Sequence, residues 1–139
     1  MKTSRILIIE DNPRDRRLVE IALSECVECT FELLGAGTLM EAKERLADFE
    51  PDVVLLDLNL PDSHGMDTLR AVRGLVPQSP VVVLTGMAEE DMGDEAIRNG
   101  AQDFLVKGKM FGELLFRSIR YARERHNILL QLQEATALA

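Results

Sequence analysis

No apolar run in this chain approaches the roughly 20 residues that span a bilayer, and no apolar h-region of the length a secretory leader requires follows Met1-Lys2-Thr3-Ser4-Arg5. Basic charge is also short: 16 Lys and Arg stand against 24 Asp and Glu, a formal net charge of −8. Nucleic acid and anionic membrane surfaces both demand a basic face. The chain is therefore expected to touch neither directly, and to be cytoplasmic. No helix-turn-helix or basic recognition helix is visible; Arg117, Arg120, Arg123 and Arg125, set among Glu124 and His126, read as a solvated helical face. Ligands for soft metals are scarce. Cys26 and Cys29 are the two cysteines, and His64 and His126 lie far from them in sequence, whereas zinc wants four ligands. A thioredoxin-like pair would open a helix, and this one falls where the first helix should end, so two small half-buried thiols are expected. Repeats, low-complexity tracts and Gly/Ser linkers are missing, and 139 residues fit one domain.

What the chain does have is alternation. Val, Ile and Leu runs at 5–9, 31–34, 53–56, 81–84 and 103–106 are too continuous for a one-sided antiparallel sheet, and suit parallel strands covered on both faces. Helical patterns separate them: Leu18, Ile21 and Ala22; Leu39, Ala42 and Leu46; Met66, Leu69 and Val72; and a thinner one at about 89–98 with Met92, Ala96 and Ile97. Such βαβ units predict an α/β fold with right-handed crossovers. Asp11-Asn12-Pro13 can cap and open the first helix, and Asn99-Gly100 can stop the fourth. From about Phe111 a helical pattern runs to Ala139, longer than one side of a small sheet needs. Leu114, Leu115, Ile119 and Ala122 can pack on the domain, while Ile128, Leu132, Ala135 and Ala139 fall at heptad-like spacing.

Four of the apolar runs end on residues that handle metal or phosphate. Glu10 and Asp11 follow the first, Asp57 the third, Thr85 the fourth and Lys107 the fifth. Parallel strands bring their carboxyl ends to one edge, where open α/β sheets bind ligands. Acids gathered there form a hard-oxygen site for Mg2+, with Asp11 and Asp57 as direct ligands, Glu10 holding a metal-bound water and Asn59 offering its backbone carbonyl. Asp57 is then placed as a nucleophile towards phosphorus, with Lys107 facing the phosphoryl oxygens and Thr85 donating a hydrogen bond. Gly86 leaves room for the incoming group.

Ile8-Ile9-Glu10-Asp11-Asn12, Asp57-Leu58-Asn59-Leu60-Pro61-Asp62 with Gly65, Leu84-Thr85-Gly86, and Gly100-Ala101-Gln102-Asp103-Phe104-Leu105-Val106-Lys107 together resemble the CheY-like receiver domain of two-component response regulators. The resemblance runs from Ile6 to about Ile119. It implies a flavodoxin-like, doubly wound five-stranded parallel sheet in the order 2-1-3-4-5 with five helices, the last extended. It implies a receiver domain over 1–123, with 124–139 as a helical extension that can lead to an output domain. It implies that Asp57 accepts a phosphoryl group, with Mg2+, from a sensor histidine kinase, a phosphotransfer protein or a small phosphodonor, and that the protein is not an enzyme beyond its own phosphotransfer and autodephosphorylation. Glu10 and Asp11 would be the acidic metal pair, Thr85 the switch hydroxyl, and Phe104 the aromatic that turns inward as the face of the fourth helix, fifth strand and last helix changes. A homodimer through that face or through the last helix is allowed.

Two positions depart from the pattern. Gly108 stands after Lys107 where the family usually has proline, which removes the usual reason for a cis peptide. Met87, two residues past Thr85, cannot orient water as a polar side chain would, so a phosphorylated lifetime outside the family's shortest is expected. Two rival readings stay open: a phosphorylation-independent receiver-like adaptor, and an aspartyl-nucleophile phosphatase. The adaptor would usually lack the acceptor or the lysine, and a phosphatase would carry an acid where Asn59 stands. Gly35-Ala36-Gly37 hints at nucleotide binding, but Met40 occupies the place of the third glycine.

Overall fold

In the computed structural model, which describes residues 3–27, 29–86, 91–107 and 111–138, strands and helices alternate through the chain. The strands are β1 (Thr3–Ile9), β2 (Thr30–Ala36), β3 (Val53–Leu56), β4 (Val81–Thr85) and β5 (Asp103–Val106). The helices are α1 (Pro13–Ser24), α2 (Leu39–Arg45), α3 (Gly65–Leu75), α4 (Gly93–Arg98) and α5 (Phe111–Leu138). All strand pairs are parallel, in the order β2-β1-β3-β4-β5. The fold is the flavodoxin-like arrangement expected, with a long last helix.

The pleat explains the continuous apolar runs. Leu7, Ile9, Val54, Leu56, Val81 and Val83 point to one face and pack with Leu69, Val72 and Ala96 of α3 and α4. Ile6, Ile8, Val53, Leu55, Val82 and Leu84 point to the other and meet Val19 and Leu23 of α1 and Leu115, Ile119 and Ala122 of α5. Two cores thus share one sheet, and a strand serving both has no polar face to alternate with.

Local signals fix the helix ends. Asn12 accepts from the amides of Arg14 and Asp15 at 2.9 and 3.4 Å, with Pro13 opening α1. Thr38 caps α2 through the Glu41 amide at 3.0 Å. Gly65, at φ +62°, turns the chain into α3, and Gly100, at φ +102°, follows the Asn99 cap of α4, conformations that residues with a Cβ resist.

Three expectations need correction. The buried face of α1 is Val19, Ala22 and Leu23, whereas Leu18 and Ile21 are 49% and 42% exposed; the helical period was right and its phase was off by one residue. In α4 only Ala96 of the expected core residues is buried, and Ile97 lies half in solvent. Cys26 and Cys29 are not thiols: their sulfurs are joined in a disulfide, because the chain turns back between α1 and β2 and brings the two Cα atoms to 5.5 Å, within the bridging range.

The far part of α5 is exposed, including Ile128, Leu129 and Leu132. Ala139, Met87 and Gly108, and with Gly108 the peptide after Lys107, lie outside the described residues. No helix among the described residues is long and apolar enough to cross a membrane.

Candidate functional site

Three backbone hydrogen bonds continue the sheet past the strand ends and place the site. The Glu10 amide donates to Ala36 O at 2.9 Å, the Asp57 amide to Ile9 O at 2.9 Å, and the Lys107 amide to Thr85 O at 2.8 Å. Residues one step beyond each strand are thereby held in register, their side chains at the carboxyl edge. Carboxylate oxygens of Glu10, Asp11 and Asp57 lie within 4.8 Å of one another. Glu10 is buried, Asp57 half-buried and Asp11 exposed, so the cluster opens to solvent on the Asp11 side.

The loop after β3 is stiff. The Asn59 amide donates to Asp57 Oδ1 at 2.8 Å, Leu58 and Leu60 are buried, and Leu60 and Ser63 exchange backbone hydrogen bonds across the Pro61-Asp62 turn. Asp62 Oδ1 and Oδ2 accept from the amides of Leu39 and Met40 at 2.9 and 3.1 Å, tying this loop to the start of α2. Those amide donors hold the Asp62 carboxyl below its usual pKa.

Lys107 is the counter-charge. Its Nζ donates to Glu10 Oε1 at 2.7 Å and to Asp15 Oδ2 at 3.1 Å, and stands 3.9 Å from Asp57 Oδ2. Burial pulls its pKa down, but the Glu10 and Asp15 carboxylates outweigh burial and raise it. One ammonium cannot satisfy this many acids. Burial, opposed by Lys107 and reinforced by Asp57, pushes Glu10 up to about 7. Its Oε2 is buried and accepts no hydrogen bond among the described residues. A proton or a cation is therefore called for, and an all-oxygen set with a buried unpaired carboxylate oxygen fits a hard divalent ion.

Thr85 closes the pocket from β4. It is 1% exposed, and its Oγ1 has no hydrogen-bond partner among the described residues, a state that buried hydroxyls rarely keep without a ligand or water to meet. Phe104 of β5 is half-buried and packs against the α3 and α4 side of the sheet. Its ring lies so close to Gly93 that a Cβ there would meet Cδ1 at 3.1 Å.

The structure thus assembles Glu10, Asp11, Asp57, Thr85 and Lys107 at one edge, with Asn59 beside them using its amide on Asp57. Two contributors were missed. Asp15 reaches Lys107 from the first turn of α1, and the sequence marks it no differently from the other acid of that helix, Glu20. Arg16 donates from Nη2 to Glu10 O at 2.8 Å and so fixes the acid's backbone. This arginine also explains the two glycines that resembled a nucleotide loop. A Cβ on Gly35 would lie 3.0 Å from Arg16 Nη1, and one on Gly37 would lie 3.4 Å from Nη2; the glycines leave space for a guanidinium.

Fold and site together define an open α/β domain whose carboxyl edge is equipped for a cation and a phosphate. The response regulator receiver domain matches residues 6–117, and the chain belongs to that family. It is 30% identical over 104 residues to the chemotaxis protein CheY of Thermotoga maritima, covering 74% of this chain and 84% of that one. It is 34% identical over 114 residues to the response regulator protein PilR of Pseudomonas aeruginosa, covering 82% of this chain but 25% of PilR. With the regulatory protein LuxO of Vibrio cholerae the match is 49% over 71 residues, 51% of this chain and 16% of LuxO. The chain thus spans a quarter or less of the length of PilR and LuxO. Among solved structures, a response regulator receiver domain protein from Clostridium thermocellum superposes with a TM-score of 0.75 at 27% identity, covering 91% of this chain and 98% of that one. NtrX from Brucella abortus superposes at 0.82 with 26% identity, covering 96% of this chain and 30% of NtrX. Receiver domains are signalling modules of two-component systems, and phosphorylation and Mg2+ binding are typical of them.

Proposed function

We propose that this chain accepts a phosphoryl group on Asp57 from a sensor histidine kinase or phosphotransfer protein, and signals through the surface formed by α4, β5 and α5. The observation that carries the reading is the pocket itself: three acids with oxygens within 4.8 Å of one another, faced by a Lys107 ammonium 3.9 Å from the acceptor. Glu10, Asp11 and Asp57, with the Asn59 carbonyl, would hold Mg2+. When bound, Mg2+ neutralises charge on the phosphoryl and acceptor oxygens.

The chain's own groups do the rest. The Asn59 amide fixes one Asp57 oxygen by its contact with Oδ1, which orients the carboxylate for in-line attack on phosphorus. Lys107 leans on Glu10 and Asp15 at rest, within a short swing of Asp57, so it can follow the charge onto the phosphoryl oxygens as they arrive. Thr85, buried and with no hydrogen-bond partner among the described residues, supplies a hydroxyl to a phosphoryl oxygen. Its movement opens space towards Phe104, whose ring is confined on the other side by Gly93; that pair is the bistable element. Hydrolysis of the phospho-aspartate returns the resting state without a separate active site, so the chain is a switch whose only catalysis is on itself.

The packing of α5 supports a receiver over 1–123 and a helical extension over 124–139, since α5 is buried against the sheet as far as Ala122 and exposed from Glu124 to Thr136 except at half-buried His126. Relatives far longer than this chain support an output segment as downstream partner. A cytoplasmic site of action and no direct contact with nucleic acid or membrane accord with the net charge of −8.

The test is intact mass after incubation with Mg2+ and acetyl phosphate, for wild type and Asp57→Asn. A Mg2+-dependent gain of one phosphoryl group, lost in the variant, is expected. No gain from acetyl phosphate or from a histidine kinase, together with no Mg2+ binding by calorimetry, would favour the phosphorylation-independent adaptor.

A further inference from the structure

The amino edge of the sheet, opposite Asp57, carries the one disulfide among the described residues, and phosphoryl chemistry has no use for it. α1 ends at Ser24 and β2 begins at Thr30; Cys26 and Cys29 are bonded in the turn between them. Cys29 is exposed and Cys26 is half-buried, its amide donating to Leu23 O at 3.3 Å. Val27, between them, is 92% exposed. Neither cysteine belongs to the two apolar cores, and neither lies within a strand or helix. Opening the sulfur bond therefore leaves every strand pair and both cores in place, so one fold serves the closed and the open form. A disulfide shielded by a core has no such freedom, because exchange needs an approach along the sulfur–sulfur axis.

From this we infer that Cys26 and Cys29 form a reversible thiol–disulfide site that equilibrates with a low-molecular-weight thiol and its disulfide, independently of Asp57. In the oxidising direction the Cys29 thiolate attacks one sulfur of a small disulfide RSSR, breaking its S–S bond, releasing RS− and leaving Cys29 as the mixed disulfide. The Cys26 thiolate then attacks the Cys29 sulfur, the bond to the small thiol breaks, and a second RS− leaves. Two electrons and two protons pass from the dithiol to RSSR, which becomes two RSH. Reduction is the reverse. Cys29 is the entry sulfur because it is the exposed one, and Cys26 resolves because the tight turn holds it in reach.

The experiment equilibrates the folded chain with reduced and oxidised glutathione over a range of ratios, quenches with acid and alkylator, and reads intact mass. Wild type is expected to move between a doubly alkylated form and a form two hydrogens lighter than the dithiol that takes no alkylator, with no lasting glutathione adduct. Cys26→Ser is expected to collect one glutathione per chain as the oxidised fraction rises, since no second cysteine remains to expel it within the chain. Circular dichroism should be the same for both redox forms, while hydrogen exchange at the Cys26 and Thr30 amides should quicken on reduction. Three results would each overturn the inference: thiols that stay alkylatable in oxidised glutathione, a wild-type adduct that accumulates without closing, or a disulfide that resists reduced glutathione until the chain is unfolded.

Discussion

Glu10 turns the acidic pocket into a measurable pH dependence of stability. In the unfolded chain its carboxyl titrates near 4.5, and in the folded chain burial and Asp57 carry it to about 7 despite Lys107. Between these values the folded state holds a proton that the unfolded state has released, so stability falls as pH rises through the window and levels off above it. Glu10 is only 4% exposed, so screening removes little of the effect, which amounts to about 3 kcal/mol across the window at 1.36 kcal/mol per pKa unit. Other shifted groups act elsewhere on the scale. Asp62, with its lowered pKa, contributes stability that is lost as pH falls below its unfolded value of 3.8. Lys107, with its raised pKa, contributes stability that is lost only as pH climbs beyond 10.5. Urea unfolding of the metal-free protein from about pH 4.5 to about pH 8 should thus show a decline that Glu10→Gln abolishes. Mg2+ should reverse the slope, because it displaces the proton and binds more tightly as pH rises. A difference between wild type and Glu10→Gln that stays constant over this range would refute the reasoning.

Lys107→Ala should slow phosphoryl uptake from acetyl phosphate by about a hundredfold or more, measured by mass against time, since no other cation among the described residues pairs with Asp57. Gly35→Ala should destabilise by about 1–3 kcal/mol in urea, because the new Cβ would press on an Arg16 guanidinium already anchored to Glu10 O. Gly74→Ala, on the exposed side of α3 with nothing within 4 Å of its new Cβ, should instead stabilise by about 0.5–1 kcal/mol in the same assay. Asn12→Ala should cost about 1 kcal/mol by removing the oxygen that accepts from Arg14 and Asp15.

The site was legible because its parts sit at strand ends. Runs such as Val53 to Leu56 announce a buried parallel strand, and the residue after each run must lie at the carboxyl edge whatever the helices do. Partners reached across space carried no such mark. Asp15 and Arg16 are charged residues on an amphipathic helix, and nothing in the chain tells which of its arginines turns inward to Glu10 O and which stays in solvent. Gly35 and Gly37 advertise a need for space without saying what fills it. The phase of α1 was misread because Leu18, Val19, Ile21, Ala22 and Leu23 give more apolar positions than one face can bury. The cysteine pair was judged by its place at a helix end, while bridging depends on how the chain turns afterwards.

The length of α5 has a mechanical consequence. Its 28 residues rise about 42 Å at 1.5 Å per residue, and the stretch from Arg123 to Leu138 accounts for about 24 Å of that. Only the half up to Ala122 packs against the sheet and the neighbouring α1, so the remainder behaves as a pointer rigidly joined to the packed half. A tilt of about 10° where Leu115 and Ile119 meet β5 would sweep the tip, about 30 Å away, through about 5 Å, given that rise. A displacement too small to disturb the core around Leu105 would arrive at the far end as a shift wider than a methyl group, which is large enough to choose between two registers of a helix packed against it.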